Sequence, residues 1–281
     1  MSEAIHWFLL QIALIAVVLL LHTYIGLHII RRTLIFSDLV LDQLAAFGAI
    51  VGVGLGISYA SPASYGCALV AVLIGSFLLA VIKPKRSAIP REAVIGILYA
   101  MALVLSLLWT DKLEQGQDLV EKALSGFLPW VTWPLVRVTI VVYLLLMVIH
   151  YLLRHKFIAL AEKPGSLRNE RWWDFLFFTT QGVITVLIVP VAGVLLAYSF
   201  LMIPAAIATL FTRKWSHALV LGWTVGFVAC MVGLVTSYVG DFTYGPSLVL
   251  SLGLFFVIAL ILRRCISPKT LSTPVPEVPH G

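Results

Sequence analysis

Apolar runs of about 20 residues follow one another along almost the whole chain, with short polar interruptions. A helix needs about 20 apolar residues to cross the hydrocarbon core of a bilayer, because each residue rises about 1.5 Å. Apolar residues make up 61% of the 281 residues and charged residues 11%, whereas a soluble domain carries about 25% charged residues. The sequence therefore predicts an all-α polytopic membrane protein and excludes a soluble enzyme or nucleic-acid-binding protein.

Nine candidate spans fit this length, and the basic residues between them predict an orientation. Of the 19 lysine and arginine residues, all but Lys112, Lys122 and Arg137 then lie on one side of the membrane. Since basic residues concentrate in cytoplasmic loops, we expect the N-terminus outside, the C-terminus in the cytoplasm, one membrane domain over residues 1–265 and a disordered Pro-rich tail over 266–281. The predicted spans cover residues 7–30, 37–60, 65–82, 92–109, 133–153, 174–190, 193–212, 217–238 and 247–263.

The motifs that commonly carry chemistry are missing from the sequence. It has no G-x-x-x-x-G-K-[ST] phosphate loop, no H-E-x-x-H and no G-x-S-x-G. The three cysteines are far apart and lack C-x-x-C spacing, which argues against a disulfide framework and a thiolate metal site. We therefore expect no bound cofactor on this chain and no catalytic residue.

Two carboxylates, Asp38 and Asp42, stand at the start of the second predicted span, one helical turn apart. Residues four apart share a face of a helix, and a carboxylate inside the bilayer costs about 3 kcal/mol unless it faces a cavity or a partner. One interpretation is that these acids, with the adjoining Gln43, line a cation pathway. The other is that Asp38 lies in the cytosol and Asp42 pairs with Arg31 or Arg32.

Glycine and proline punctuate two of the predicted spans. Small residues at four-residue spacing allow close helix packing, which is the role expected of Gly48, Gly52 and Gly56 in the second span. Helix breaks in lipid are tolerated where the freed backbone groups find partners, and transporters often place their pathway at such breaks. The alternative is a kinked, purely structural hairpin. The predicted breaks between the sixth and seventh spans are Pro190, Gly193 and Pro204.

Two polar segments between spans have helical patterning. Within the outer segment 110–131, apolar residues recur at helical spacing, which predicts a short amphipathic helix at the membrane interface. On the cytoplasmic side, Phe157, Leu160 and Ala161 recur at i, i+3 and i+4 before the breakers Pro164 and Gly165. This second helix either lies on the membrane or fits a groove in a cytosolic partner.

Four stretches, in order, give the chain a resemblance to a known family. They are residues 26–52, residues 91–112, the WWDF sequence at 172–175 and, most specifically, VAGVLLAYSFLMIPAAIATLF at 191–211. Together they resemble the permease subunit of the zinc/manganese/iron-type ABC transporter family over about residues 8–264.

The resemblance implies a paired membrane channel driven by a separate cytosolic ABC ATPase that binds the ATP. It also implies a second permease copy, an extracytoplasmic solute-binding protein and location in a bacterial or archaeal cytoplasmic membrane. Residues 156–165 would be the coupling helix that enters a groove on the ATPase. The coupling residues carried over in this way are Phe157, Leu160, Ala161, Glu162, Pro164 and Gly165.

One departure from the family concerns the cargo. Many members carry a His in a Ser-His-Ala context, followed by Pro-Gly, where this chain has Asp42 and Gln43. A carboxylate is a harder ligand than imidazole and favours manganese or other hard cations over zinc. We expect Asp42 and Gln43 to be the polar groups of the pathway, with Asp38 as a helper.

The expected function is that of a permease subunit of an ATP-driven importer for a divalent transition metal such as manganese, zinc or iron. A secondary carrier that uses Asp42 for proton coupling is an alternative from the transport class. An integral membrane enzyme or assembly factor with a site near Pro190 and Pro204 is an alternative from another class.

Overall fold

The computed structural model describes residues 2–82, 89–126 and 131–266. Within these ranges the chain is all-helical and contains no strand, which confirms the predicted all-α class. The helices in chain order are α1 (Ser2–Arg32), α2 (Phe36–Gly54), α3 (Pro62–Val81), α4 (Arg91–Thr110), α5 (Gly116–Ser125), α6 (Trp133–Leu152), α7 (Arg154–Glu162), α8 (Glu170–Phe211), α9 (Trp215–Gly240) and α10 (Tyr244–Ile266).

Eight of the described helices are long and apolar enough to cross a membrane. The other two, α5 and α7, have 10 and 9 residues. Every predicted span overlaps one of the eight long helices, and the sixth and seventh both overlap α8. Hydropathy therefore located the long helices, whereas their number of crossings depends on the path of α8.

The termini of several helices meet at one end of the bundle, which we call the basic end. Arg31 and Arg32 complete α1 there, and Arg91 begins α4. The Arg32 guanidinium pairs with Asp174 near the start of α8, and Arg91 lies 3.5 Å from the same carboxylate. Arg31 donates a hydrogen bond of 2.6 Å to the carbonyl oxygen of Arg213, just after α8 ends.

Helix α8 returns to the end from which it starts. A straight helix of its 42 residues would be about 63 Å long, yet Asp174 and Arg213 both lie at the basic end. The reversal is at Gly193, whose φ of 75° and ψ of 163° are not helical. A Cβ at Gly193 would come within 3.0 Å of the backbone of Leu124 and Gly126, at the opposite end of the bundle. Glycine is required here because this conformation is essentially closed to other residues.

Two of the three predicted helix breaks are wrong. Pro190 and Pro204 both lie inside helical stretches, and Gly193 is where α8 leaves helical geometry. Proline is tolerated in membrane helices where neighbouring groups compensate for the lost hydrogen bond. The Pro204 ring packs closely against Gly226, and its carbonyl oxygen lies near Gly222 of α9. These glycines provide the space that a proline within a packed helix needs.

The glycines of α2 do not form one continuous face. A Cβ at Gly48 would lie 2.7 Å from the carbonyl oxygen of Cys67, so α2 and α3 approach closely at this point. At Gly52 the nearest atom of Cys67 would be at ordinary contact distance. Gly56 lies beyond the helix, which ends at Gly54, and has a positive φ of 83° with nothing within 4 Å of a Cβ. The expected packing role of Gly56 is therefore wrong, because the residue belongs to the turn after α2.

Several sequence predictions fall partly or wholly outside the described residues. Helix α5 forms within the outer segment 110–131, and its apolar residues Leu119 and Ala123 are buried against the bundle. Residues 127–130 of that segment and 267–281 of the expected tail lie outside the described ranges. The same holds for Lys83, Lys85 and Arg86, on which part of the predicted orientation rests.

Candidate functional site

The two carboxylates of α2 are buried and contact the first half of α8. Asp38 and Asp42 are each 1% exposed. The Gln181 side-chain amide donates a hydrogen bond of 2.8 Å to Oδ1 of Asp38, and the Thr185 side chain lies beside the Asp42 carboxylate. The partners on α8 thus have the same one-turn spacing as the acids on α2. We call Asp38, Asp42, Gln181 and Thr185 the carboxylate ladder.

Each side of the ladder keeps oxygen atoms for a further partner. Within the described part of the chain, Oδ2 of Asp38, Oδ2 of Asp42 and Oε1 of Gln181 are buried and accept no hydrogen bond. Buried polar atoms are normally paired, and carboxylate and amide oxygens are ligands that hard divalent cations prefer. The ladder can therefore offer three oxygens to a cation that passes between α2 and α8.

The described residues do not contain a resident metal centre of the usual kind. No group of three or more His, Cys, Asp and Glu side chains among them has an arrangement that could hold a metal ion. Two carboxylates with an amide make a weaker ligand set than a closed site of four to six ligands. Such a set suits a cation that must leave as readily as it enters.

Gln43 is separated from the carboxylates although it adjoins Asp42 in sequence. It is 3% exposed, and its amide nitrogen donates a hydrogen bond of 3.0 Å to the Ser106 hydroxyl of α4. The Ser106 hydroxyl in turn donates to the Ala102 carbonyl oxygen within α4. Successive residues of a helix point about 100° apart, so Gln43 joins α2 to α4 while the acids face α8.

Neither carboxylate pairs with an arginine of α1, as the alternative interpretation of Asp42 required. Arg31 pairs with Glu162 at 3.0 Å, and Arg32 pairs with Asp174. Asp38 is also not exposed to solvent. The polar partners of both acids are Gln181 and Thr185 of α8, which are uncharged side chains.

The first half of α8 supplies polar groups that sequence reasoning missed. Besides the ladder residues, the Thr180 hydroxyl oxygen lies 2.8 Å from Nε2 of His150. The Ile184 carbonyl oxygen accepts a hydrogen bond of 3.5 Å from the Tyr143 hydroxyl. Gln181 directly follows Thr179 and Thr180, and Thr185 is the next polar side chain in the apolar run that follows. The four-residue spacing of Gln181 and Thr185 is the signal that could have identified them, since polar residues inside a span normally face a partner or cavity.

Helix α7 turns its apolar residues toward the bundle. Phe157 and Leu160 are 0% and 3% exposed, and the Phe157 ring stacks on His150 at 4.5 Å and packs edge-on against Phe177. Their assignment as contacts to a partner protein is therefore wrong, because the amphipathic face is already covered by the chain itself. Ala161 is partly buried. The exposed surface of this segment is formed by His155, Lys156, Glu162, Lys163, Pro164 and Gly165.

A comparison with protein families identifies the family of the chain. A model of the ABC 3 transport family matches residues 3–263. The chain belongs to this family. The match covers all ten described helices apart from the first residue of α1 and the last three of α10, so the carboxylate ladder and α7 both lie inside the family domain.

Individual relatives are distant. A protein of Chlamydia muridarum described as a probable metal transport system membrane protein is 24% identical over 191 residues, which are 66% of this chain and 65% of that protein. The manganese transport system membrane protein MntC of Listeria monocytogenes is 25% identical over 182 residues, which are 63% of this chain and 64% of that protein. In both matches the chain spans less than two thirds of the relative's length.

A solved structure shares the fold. A chain of PsaBC from Streptococcus pneumoniae in complex with Fab aligns with a TM-score of 0.73 over 92% of both chains, at 22% identity. At this identity the likeness establishes the architecture alone. It covers more of the chain than the matches to the Chlamydia and Listeria proteins.

Proposed function

We propose that this chain is the membrane-spanning permease subunit of an ATP-driven importer for a divalent transition metal, with manganese favoured over zinc or iron. The observation that carries the proposal is the carboxylate ladder, which places paired buried oxygen ligands between two helices of a chain in the ABC 3 transport family. The names of the Chlamydia and Listeria relatives, which refer to metal and manganese transport, support the choice of cargo.

We place nine crossings in the cytoplasmic membrane of a bacterium or archaeon, with α8 contributing two. The return of α8 to the basic end supports this count. Arg31, Arg32, Arg91 and Arg213 lie together at one end, and basic residues concentrate on the cytoplasmic side. The N-terminus is then outside and the C-terminus in the cytoplasm. Residues 1–265 act as a single transport domain.

In the proposed mechanism, Asp38 and Asp42 replace part of the hydration shell of the cation as it passes between α2 and α8. Gln181 holds Oδ1 of Asp38 and Thr185 lies beside Asp42, which leaves Oδ2 of each carboxylate for the cation. Oxygen ligands favour manganese over softer metals. Gln43 acts indirectly, because its hydrogen bond to Ser106 fixes the rotation of α2 against α4.

The energy source is a pair of ABC ATPase subunits on the cytoplasmic side, since this chain has no phosphate loop. ATP binds to those subunits, and the permease itself carries no cofactor. A second permease copy completes the channel, and a solute-binding protein delivers the cation at the outer loops. The coupling segment 156–165 meets the ATPase through its exposed residues, among them Lys156, Pro164 and Gly165.

The pathway is tested by Asp42→Asn in the complex purified from native membranes and reconstituted into liposomes. We expect Mn²⁺ uptake to fall by about tenfold or more, because carboxylate charge sets affinity for hard cations, while the amount of co-purified ATPase stays unchanged. Ser251→Ala is the matched control. It removes another buried polar group, one that joins α10 to α9 far from the ladder. Unchanged uptake by Asp42→Asn would remove Asp42 from the pathway.

The energy source is tested in the same preparation. A phosphate-loop ATPase should co-purify with the chain, and charge reversal at the exposed Lys156 should weaken its recovery without lowering the yield of the permease. Mn²⁺ uptake should stop on ATP depletion. Uptake that continues after ATP depletion but stops when the proton gradient is removed would support the secondary carrier instead.

A further inference from the structure

We propose that Asp174 is a positioning residue that links the cytoplasmic helix α7 to the carboxylate ladder. It does so through ion pairs joined by residues adjacent in the chain, which together we call the polar relay: Glu162, Arg31, Arg32, Asp174, Arg91 and Glu92. The inference rests on the proposed function, since it assigns a role to residues that connect the ATPase-facing segment to the pathway.

The relay begins at the last residue of α7. The Glu162 carboxylate accepts hydrogen bonds from Arg31 at 3.0 Å and from the Trp215 indole at 2.7 Å. The Arg31 guanidinium also stacks on the Trp215 ring at 3.7 Å. The end of α7 is therefore attached to the ends of α1 and α9 together, so a displacement of α7 acts on Arg31.

Asp174 is the centre of the relay. Its side chain is 0% exposed, and it pairs with Arg32, which follows Arg31 in α1 and has a side chain 5% exposed. Arg91 approaches the same carboxylate from the start of α4 at 3.5 Å. One buried carboxylate thus ties together the ends of α1, α4 and α8. A buried ion pair is weak support for stability, because burying both charges offsets their attraction.

Two connections lead from Asp174 to the ladder. Along α8, Gln181 lies two turns after Asp174, on nearly the same face, and holds Asp38. Along α4, Glu92 adjoins Arg91 and accepts a hydrogen bond of 2.7 Å from the backbone nitrogen of Phe36, the first residue of α2. Both helices that form the ladder are therefore fixed, close to their cytoplasmic ends, to groups next to Asp174.

This arrangement predicts that Asp174 transmits the position of α7 to α2 and α8. A loose contact at the basic end would let the ATPase move α7 without moving the ladder. The relay makes this motion cooperative, because helices joined by ion pairs and hydrogen bonds move together. Disruption of the relay should then let the ATPase hydrolyse ATP without a matching movement of the cation.

The experiment measures Mn²⁺ transported per ATP hydrolysed by the reconstituted complex. In Asp174→Asn we expect this ratio to fall by about fivefold or more, the lower range of coupling between linked sites, with ATPase recovery unchanged. Because loss of a buried ion pair can impair folding, Glu162→Gln gives a second test on a side chain 47% exposed. Arg263→Gln, an exposed charge change in the last turn of α10, is the control.

The double variant Glu162→Gln/Asp174→Asn separates a relay from two independent effects. If the two residues act in series, the double variant transports as much Mn²⁺ per ATP as the more impaired single variant. If they act independently, the two reductions in this ratio multiply. An unchanged ratio in Glu162→Gln, or multiplied losses in the double variant, would overturn the proposal. Failure of any ATPase to co-purify with the unmodified chain would instead overturn the proposed function.

Discussion

The reversal of α8 at Gly193 provides a quantitative test of the fold. Gly193→Ala places a Cβ on a residue with φ of 75° and ψ of 163°, a conformation that costs about 1–3 kcal/mol for a residue other than glycine. The new Cβ also meets the backbone of Leu124 and Gly126 within 3.0 Å, which adds about 1–3 kcal/mol of overpacking. The expected loss of stability is therefore about 2–6 kcal/mol.

This loss is measured as the apparent Tm of the detergent-purified protein at a fixed heating rate. A change of 1 kcal/mol lowers Tm by about 2–4 °C in chains of similar size, so a decrease of at least about 4 °C is expected. Gly253→Ala is the matched control, because Gly253 lies within α10 and a Cβ there meets nothing within 4 Å. Equal Tm values for the two variants would refute the sharp turn at Gly193 and the return of α8 that depends on it.

Three further outcomes follow from contacts described above. Gly26→Ala should lower the apparent Tm, because its Cβ would meet the Leu201 backbone within 3.0 Å, whereas Gly66→Ala, with open space around it, should not. Phe157→Ala should lower the free energy of unfolding by about 3–5 kcal/mol, because it leaves a cavity in the aromatic cluster. Its apparent Tm should therefore be lower than that of the control variant Lys156→Ala. Gln181→Leu should reduce Mn²⁺ uptake by about 10- to 100-fold, the usual cost of losing a group that orients a metal ligand. Uptake at the wild-type level in Gln181→Leu would show that Asp38 needs no orienting partner.

Hydropathy and charge predicted the helical frame well because both are local properties of the chain. The apolar length of each run identified the long helices, and the basic residues identified the end at which Arg31, Arg91 and Arg213 meet. Exact helix ends were less predictable. The second predicted span extended to residue 60, yet α2 ends at Gly54, because Gly56 takes a positive φ that hydropathy does not report.

The candidate site was half predictable. Buried acids are rare enough in a span to identify Asp38 and Asp42 from the sequence, but their partners Gln181 and Thr185 come from a helix more than 140 residues later in the chain. The spacing of Phe157 and Leu160 showed that one side of α7 is apolar. It could not show what covers that side, because a helix buried by its own chain and one buried by a partner have the same pattern.

The sequence separation within the carboxylate ladder has a consequence for biogenesis. Gln181 follows Asp38 by 143 residues, so a ribosome that adds about 5–20 residues per second makes the amide some 7–29 s after the carboxylate. During that interval α2 enters the bilayer with two acids in its first two turns whose partners do not yet exist, at a cost for each acid below the about 3 kcal/mol of a charge at the membrane centre. The acids of the second helix therefore gain their polar partners only when the first half of α8 has been synthesised.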